Sequence, residues 1–167
     1  ADLTYRAADL KTKNTIDYQD FNNDMLLETS ERFDSELFIN SFFQITSTYK
    51  IKLNDRGSEL KVSALTQTSL ENGDSSISEE IIFPQSETTA NDRINTTIND
   101  NRFTAAIDYT HTSKKQSQLE FGARSRSTAI SNAYNVTREE DTVILTLPEF
   151  SDNTNYQEHV FAVYGQF

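Results

Sequence analysis

Residues 102–127, RFTAAIDYTHTSKKQSQLEFGARSRS, alternate between two kinds of side chain. Every second residue is apolar or aromatic on both sides of the central TSKKQ, namely Phe103, Ala105, Ile107, Tyr109, Leu119, Phe121 and Ala123. The positions between them include Asp108, Glu120, Arg124 and Arg126. Because successive side chains of a β-strand point to opposite faces, the segment predicts a hairpin with one apolar and one polar face. Either a protein core or lipid must cover the apolar face.

The composition narrows the class of protein. The length of 167 residues indicates one domain, and the net charge of −11 (pI about 4.5) makes nucleic acid an unsuitable partner. Hydrophobic residues make up 35% of the chain, a low share that suits a sheet with one wetted face. Cysteine is absent, which excludes disulfides and thiolate metal sites. No apolar run reaches the roughly 18 residues of a transmembrane helix, but strands of a membrane barrel need only be half apolar.

The alternation predicts seven antiparallel strands, at residues 3–7, 15–21, 43–53, 58–68, 103–111, 118–130 and 156–167. Three connections are short: residues 8–14, NDRG at 54–57 and TSKKQ at 112–116. Three are long, polar and acidic: residues 22–36, 70–101 and 131–155, the last containing TVILTL, which we expect to form a small hairpin. Strict alternation of short turns and long loops is typical of an outer-membrane barrel.

A soluble antiparallel sandwich also has alternating strands. Residues 43–53 and 118–130, however, reach the roughly 9–11 residues that a tilted strand needs to cross a bilayer. Five tyrosines near predicted strand ends fit an interfacial girdle: Tyr5, Tyr18, Tyr49, Tyr109 and Tyr164. The absence of Trp and the presence of only four Gly favour the soluble alternative. Composition and periodicity therefore leave both folds open.

Three segments carry a family pattern: YKIKLNDRGSELKVSAL, IIFPQSETTANDRINTTINDNRFTAAIDYTHTSKKQSQLEFGARS and YQEHVFAVYGQF. They contain a turn ending in Gly-x-Glu-Leu, an FTAxxDYT strand, a LEFG strand and a YxEHxxAVYxxF strand. His111-Thr112-Ser113 replaces the usual Pro-containing segment. Over about residues 37–167 the chain resembles the Bacteroidetes-type outer-membrane β-barrel family, which is related to TonB-dependent receptors.

The resemblance implies an all-β, up-and-down antiparallel barrel in the outer membrane that takes up a nutrient, with lipid, a plug domain, TonB and an unidentified small solute as partners. The expected lipid-facing residues are Phe103, Ile107, Tyr109, Leu119 and Phe121. The expected lumen-facing residues are Lys50, Lys52, Lys61, Asp108, Glu120, Arg124 and Arg126. We expect the loops 70–101 and 131–155 to capture solute and the charged face to contact the plug.

The strand count predicts an incomplete barrel. Seven up-and-down strands begin and end at opposite rims, whereas bacterial single-chain barrels have an even number of strands. We therefore expect residues 1–167 to form one barrel segment, with the remaining strands and the plug outside this chain.

The sequence contains no catalytic fingerprint. His111 and His159 lack a positioned partner, so we expect structural or interfacial roles. The acidic stretches 71–74, 79–80 and 139–141 lack the order of a calcium loop and are interpreted as solvated. We expect no enzymatic activity, cofactor or metal. The alternatives are a soluble β-sandwich that acts as a surface binding or adhesion module and, with no residue constellation behind it, a hydrolase.

Overall fold

A computed structural model describes residues 1–22, 24–113, 117–140 and 143–167. The strands are β1 (Asp2–Asn22), β2 (Met25–Lys52), β3 (Glu59–Phe83), β4 (Glu87–Thr112), β5 (Gln118–Glu140), β6 (Val143–Thr146) and β7 (Asp152–Gln166). A short 3₁₀ helix, Pro148–Phe150, separates the last two strands. The predicted all-β antiparallel fold class is confirmed.

All seven strands belong to one sheet, in which β1 to β5 follow one another as antiparallel neighbours. Both β6 and β7 pair with the free side of β5, β6 with residues 137–140 and β7 with residues 120–134. The sheet therefore has six strand positions, with β1 at one edge and β6 and β7 at the other. Residues 53–58 connect β2 to β3 and residues 113–117 connect β4 to β5 at the same end of the sheet. We call this end the near part of the sheet and the opposite end the far part.

The order of strands corrects the expectation about parity. Residues 3–7 and 15–21 are not two strands but parts of β1, and β6 and β7 occupy one position between them. Asp2 and Gln166 consequently lie at the same end of the sheet, so the prediction of ends at opposite rims is wrong.

The predicted long connections are mostly strand. Residues 70–83 continue β3, 87–101 continue β4 and 131–140 continue β5, while most of 22–36 belongs to β2. The predicted turn at 8–14 is also wrong, because these residues pair with 34–40 inside the β1–β2 ladder. Both faces of the far part carry Ser, Thr, Asn and charged side chains. Alternation of polarity disappears when both faces are wetted, although the backbone stays extended.

The turns at the near end follow the prediction. In NDRG, the Asn54 Oδ1 atom accepts hydrogen bonds from the backbone N–H groups of Arg56 (3.0 Å) and Ser58 (3.2 Å). Gly57 adopts φ = +93°, which a residue with a Cβ enters only with strain. Ser113 N–H bonds Ser117 C=O at 2.9 Å and closes the second turn, whose residues 114–116 lie outside the described residues. The predicted TVILTL hairpin is also confirmed, because β6 pairs with the end of β5.

The sheet has almost no core of its own. Ala106 and Val136 are the buried hydrophobic residues of the described chain. The accessible surface is 12162 Å², whereas a folded monomer of this mass exposes about 8,400 Å². A two-layer sandwich would have sealed one face of the sheet, so the described residues do not form that fold.

Glycines in the sheet receive aromatic rings from the neighbouring strand. Gly73 lies directly opposite Phe38 and Gly122 directly opposite Tyr164, and each ring covers the space that a Cβ would take. The Tyr164 hydroxyl then donates a hydrogen bond to Asp108 on β4, two strands away. A ring that fits only over the correct glycine fixes the register of its strand pair.

Ion pairs join the strands of the far part. Arg138 on β5 forms a bidentate pair with Asp92 on β4 (2.7 and 2.8 Å), and Arg93 on β4 forms one with Asp74 on β3 (3.1 and 2.5 Å). Hydrogen bonding to these guanidinium groups holds the pKa of both carboxyls below the ordinary value. The two pairs lie on opposite faces, so they stabilise the pairing from both sides.

The first prediction concerns pH. Since the pKa of Asp92 is depressed in the folded state, its contribution to stability is present above the ordinary carboxyl pKa of about 3.9 and is lost as the pH falls through the folded value. We expect the protection factors of amide hydrogens in residues 87–100 of the intact protein, which are corrected for the intrinsic pH dependence of exchange, to fall below about pH 4. Asp92→Asn should lower these protection factors already at pH 7 and flatten their pH dependence. Asp17→Asn, which removes an acidic group without an ion-pair partner among the described residues, should leave both unchanged, and an equal effect of the two variants contradicts the argument.

The second prediction concerns Gly122. In Gly122→Ala the new Cβ would fall on the Tyr164 ring, so the ring must move and release Asp108. We expect a loss of about 1–3 kcal/mol in the free energy of unfolding, measured by denaturant titration of the intact protein in detergent. Gly165→Ala is the matched control, because its Cβ would lie at an ordinary 3.4 Å from Phe121. Equal stability of the two variants would show that the ring does not constrain the sheet.

Candidate functional site

The strand register brings the predicted lumen residues to one face of the near part, which we call the polar face. Lys50 lies opposite Lys61, and Lys61 lies opposite Asp108. Asp108 in turn lies opposite Gly122, whose β5 neighbours on the same face are Glu120, Arg124 and, one step further, Arg126. Lys52 belongs to the same face, two residues from Lys50. The seven residues therefore share a surface that spans four strands.

Several charged groups of the polar face bond to a side chain of a neighbouring strand. Lys61 forms an ion pair with Asp108 (3.7 Å), which also accepts the Tyr164 hydrogen bond. Glu120 accepts a hydrogen bond of 2.7 Å from the side-chain amide of Gln166. These contacts tie β3, β4, β5 and β7 together on one side of the sheet. A further pair, Lys50 with Glu59 (3.6 Å), joins β2 to β3 beside the turn.

Arg124 and Arg126 differ from these groups. Neither forms an ion pair within the described part of the chain. Their cross-strand neighbours are small or uncharged: Ala106 and Ala162 beside Arg124, and Thr104 and Val160 beside Arg126. No carboxylate therefore lies directly opposite either guanidinium group.

A depression of about 340 Å³ lies at these arginines. Its lining residues come from β3, β4, β5 and β7 and are Leu65, Gln67, Arg102, Thr104, Arg124, Arg126, Val160 and Ala162. Arg102 is held by Asp100 on its own strand at 2.6 Å, so its charge is compensated. Arg102 was not among the residues predicted to face the lumen, although it alternates in phase with Asp108 in β4. Gln67 lies opposite Arg102 because of the β3–β4 register, which a single sequence does not reveal.

The opposite face, which we call the apolar face, carries the predicted lipid-facing residues. Tyr109 lies opposite Phe121, His111 opposite Leu119 and Ile107 opposite Ala123, as the alternation predicted. Phe103 belongs to the same face and remains 49% exposed, while Ile107 is 47% and Phe121 48% exposed. No second protein layer covers these side chains within the described residues.

The apolar side chains of this face are concentrated in the near part of the sheet. The uninterrupted alternation of apolar residues ends at Ala64 on β3, Phe103 on β4 and Ala123 on β5. Because Ala64 pairs with Ala105 and Ala123 pairs with Ile107, these three ends lie within four residues of one another along the sheet. Beyond them the face is mainly polar, with Leu70 on β3 and Ala129 and Ala133 on β5 as exceptions.

The apolar residues of this face extend to different points on β2 and β1. On β2 the apolar residues of this face extend further still, to Ile39, Leu37 and Phe33. On β1 they stop at Ala7, after which Asp9, Lys11 and Lys13 follow. The apolar residues therefore extend furthest along β2, and the row on β1 ends well before that point.

The predicted tyrosine girdle is only partly correct. Tyr49 and Tyr109 lie on the apolar face next to the near-end turns, and Tyr5 lies on that face opposite Phe43. Tyr18 and Tyr164 belong to the opposite face, because their positions in β1 and β7 are out of phase with Tyr5 and with Gly165. The prediction used the distance from strand ends and ignored the face, which explains the error.

The two histidines are far apart in the sheet. His111 lies opposite Leu119 and stacks on Tyr109, with ring centroids 6.4 Å apart and a hydroxyl–Nδ1 distance of 3.4 Å. His159 lies opposite Ser127 on β5. Within the described ranges, no group of three or more His, Cys, Asp or Glu side chains is arranged to hold a metal ion.

The acidic stretches engage protein partners. Asp74 binds Arg93, Glu80 accepts a hydrogen bond from Ser86 (2.6 Å), and Glu139 accepts one from Asn91 (3.2 Å). Asp141 of the third stretch lies outside the described residues. These carboxylates therefore stabilise the far part.

No helix among the described residues has the length and hydropathy needed for a membrane span. Comparison with curated protein sequences finds no match. Among solved structures, two crystal structures of Pseudomonas aeruginosa OccK1 (OpdK), one with vanillate, are 9% identical to this chain, with a TM-score of 0.13. These alignments cover 93% of this chain and 56% of OccK1, so the chain spans about half of that protein's length. The pneumolysin membrane pore complex is 8% identical over 96% of this chain and 31% of its own, also with a TM-score of 0.13.

A family model described as "Outer membrane protein beta-barrel family" matches residues 51–167. The match starts at the end of β2 and runs through β7, so it contains the near-end turns, most of the polar face and the apolar residues of β3 to β5. It covers more than two thirds of the chain. The chain belongs to the outer membrane protein β-barrel family, and its location is the outer membrane.

Proposed function

We propose that this chain forms part of the wall of a barrel that takes up a small solute across the outer membrane, energised through TonB and closed by a plug domain. Membership of the outer membrane protein β-barrel family is the basis for the barrel and for its location in the outer membrane. The TonB relationship rests on the resemblance of the GSEL, FTAAIDYT, LEFG and YQEHVFAVY segments to receptors of that kind. We further propose that the chain is not an enzyme, because passage of a solute requires a shaped polar surface and no bond-breaking group.

The concentration of apolar side chains in the near part of one face is the observation that carries this proposal. In β4, apolar side chains alternate from Tyr109 to Phe103, and polar Asn101, Asn99 and Thr97 follow on the same face. Compared with the roughly 9–11 residues with which a tilted strand crosses a bilayer, the apolar row is shorter on β4 and longer on β2, where it runs from Ile51 to Phe33. Beyond the row on β4 this face is polar. This pattern fits hydrocarbon around the near part and water around the far part.

The far part extends well beyond a membrane. A strand as long as β3, at about 3.3 Å per residue, measures about 80 Å, far more than the hydrocarbon thickness of about 30 Å. The long extracellular loops expected from the sequence thus take the form of extended hairpins. Their polar side chains, on both faces, supply the surface that we propose makes first contact with the solute.

The polar face suits contact with a plug. Its charges of both signs, Lys61 with Asp108 and Lys50 with Glu59 among them, offer exchangeable ion pairs that a second domain can bind without an apolar interface. Such contacts must break when the plug moves, and partly exposed pairs break at little cost. We propose that this face holds the plug beside the near-end turns, where Lys50, Lys61 and Asp108 lie, and that it lines the solute path further along β5, at Arg124 and Arg126.

The number of strands supports an incomplete barrel. The six strand positions are fewer than the eight of the smallest single-chain bacterial barrels. We propose that further strands pair with β1 and β7 and that the plug is also supplied from outside these residues. The soluble sandwich would need a second layer against the apolar face, and the described residues contribute none.

The third prediction places a charge inside the apolar row of β4. Ile107→Lys puts an ammonium group where we propose hydrocarbon, at a cost of roughly 2–4 kcal/mol near the bilayer midplane. Asn95→Lys is the matched control, since it adds the same charge to the same face of β4 in the far part. We expect Ile107→Lys to reduce the amount of heat-modifiable full-length protein in the outer-membrane fraction, with Asn95→Lys equal to the wild type. If both variants insert equally, lipid does not cover Ile107.

The fourth prediction tests uptake. Deletion of the gene for the full-length protein in its host should abolish growth on at least one scarce nutrient, and removal of TonB should reproduce the defect. Complementation with Asn95→Lys should restore growth, whereas Ile107→Lys should not. A deletion strain that grows like its parent on every nutrient of a broad panel would contradict the uptake function. A growth defect without TonB dependence would contradict only the energy coupling.

A further inference from the structure

Arg124 and Arg126 lie on the polar face without an ion pair to a described residue, whereas neighbouring residues such as Lys61 and Arg102 each have a carboxylate partner. Asp108, Glu120 and Glu158 lie near them on this face, but each already has a partner: Lys61 and Tyr164 for Asp108, Gln166 for Glu120 and Tyr156 for Glu158. Arg124 and Arg126 form no ion pair with a described residue, as stated above. Carboxylates are therefore present on this face, yet they are directed to other groups.

The positions of the two arginines make this arrangement costly. They are separated by one residue on β5 and project from the same face, so their side chains are neighbours of like charge. The cross-strand positions on both sides hold Ala, Thr and Val, which offer neither a negative charge nor bulk. The resulting depression of about 340 Å³ has room for a small molecule. An anion in it would offset the repulsion.

Guanidinium groups select a particular kind of anion. The planar fork of Arg donates two parallel hydrogen bonds, which match the two oxygens of a carboxylate or phosphate. Gln67 and Thr104 in the lining add neutral hydrogen-bonding groups beside the forks. Arg102, which is paired with Asp100, lines the β4 part of the depression. The site thus favours a compact oxyanion over a halide ion.

We propose that Arg124 and Arg126 bind the carboxylate or phosphate group of the transported solute in this depression. The inference rests on the proposed uptake function, which makes the polar face accessible to solute, and it adds the chemical class of the ligand. An acidic side chain of the plug has the same chemistry, so the test must separate a free solute from an internal group.

The experiment measures equilibrium binding to the full-length protein in detergent by isothermal titration calorimetry, at constant ionic strength, with succinate and inorganic phosphate as probes. We expect the wild type to bind at least one probe and R124Q/R126Q to bind it about tenfold more weakly or worse, because charge-assisted hydrogen bonds are lost. R6Q is the matched control: Arg6 lies on the polar face of β1, likewise without a described ion-pair partner, and its loss should change binding less than about twofold.

A second double variant distinguishes loss of the binding groups from misfolding of the protein. R124K/R126K keeps both charges but removes the forks, so it should fold like the wild type and still bind several-fold more weakly. Equal binding by the wild type, R124K/R126K and R124Q/R126Q overturns the proposal, as does equal weakening in R6Q. If the wild type binds neither probe while R124Q/R126Q lowers its thermal stability, an internal acidic group fills the site and the proposal is overturned.

The outcome is separable from that of the proposed function. Binding in detergent does not require transport. If the deletion strain shows no growth defect while the purified protein binds a probe, uptake is refuted and the anion site remains. Conversely, intact TonB-dependent growth with no binding of either probe would refute the anion site alone.

Discussion

Strand register is the constraint on which every face of this sheet depends. Because side chains alternate with a period of two, a slip of one residue in any pairing would place Lys61 or Arg124 among Phe103, Ile107 and Phe121. Several independent devices oppose such a slip. Tyr164 fits over Gly122 and reaches Asp108, Phe38 fits over Gly73, and bidentate ion pairs join the strands of the far part. The register therefore does not rely on the turns alone.

What the sequence reveals depends on the contrast between the two faces. The hairpin of β4 and β5 is predicted with its turn and its two faces, because apolar Phe103, Ile107 and Tyr109 alternate with residues such as Thr104 and Asp108. The far part is predicted as loops because its polarity does not alternate regularly, and nothing in residues 70–83 distinguishes an exposed strand from a coil. The seven residues predicted to face the lumen share one face of the sheet for the same reason as the hairpin. Their pairing, and the isolation of Arg124 and Arg126, depended on cross-strand neighbours that no single sequence specifies.

The distribution of charge constrains how a solute would reach the polar face. The chain as a whole carries −11, and much of that negative charge lies in the far part, in residues such as Glu71, Asp74 and Glu79. An anion approaching from that side gains nothing from long-range steering, which is screened beyond about 8 Å at physiological ionic strength. In the proposed uptake, the attraction of an anion would therefore come from short-range pairing at Arg124 and Arg126.

The two edges of the sheet set the last requirement. In hydrocarbon, each unpaired backbone N–H or C=O group costs several kcal/mol, so a spanning sheet must be closed. β1 pairs with β2 alone and the outer side of β7 has no partner among the described residues, although both edges run through the near part. Charged side chains protect an edge exposed to water, as Lys11 and Lys13 can in the far part of β1, but they do not satisfy backbone groups in lipid. The additional strands proposed above would meet this requirement, and the polar face would then be the inner wall of the barrel.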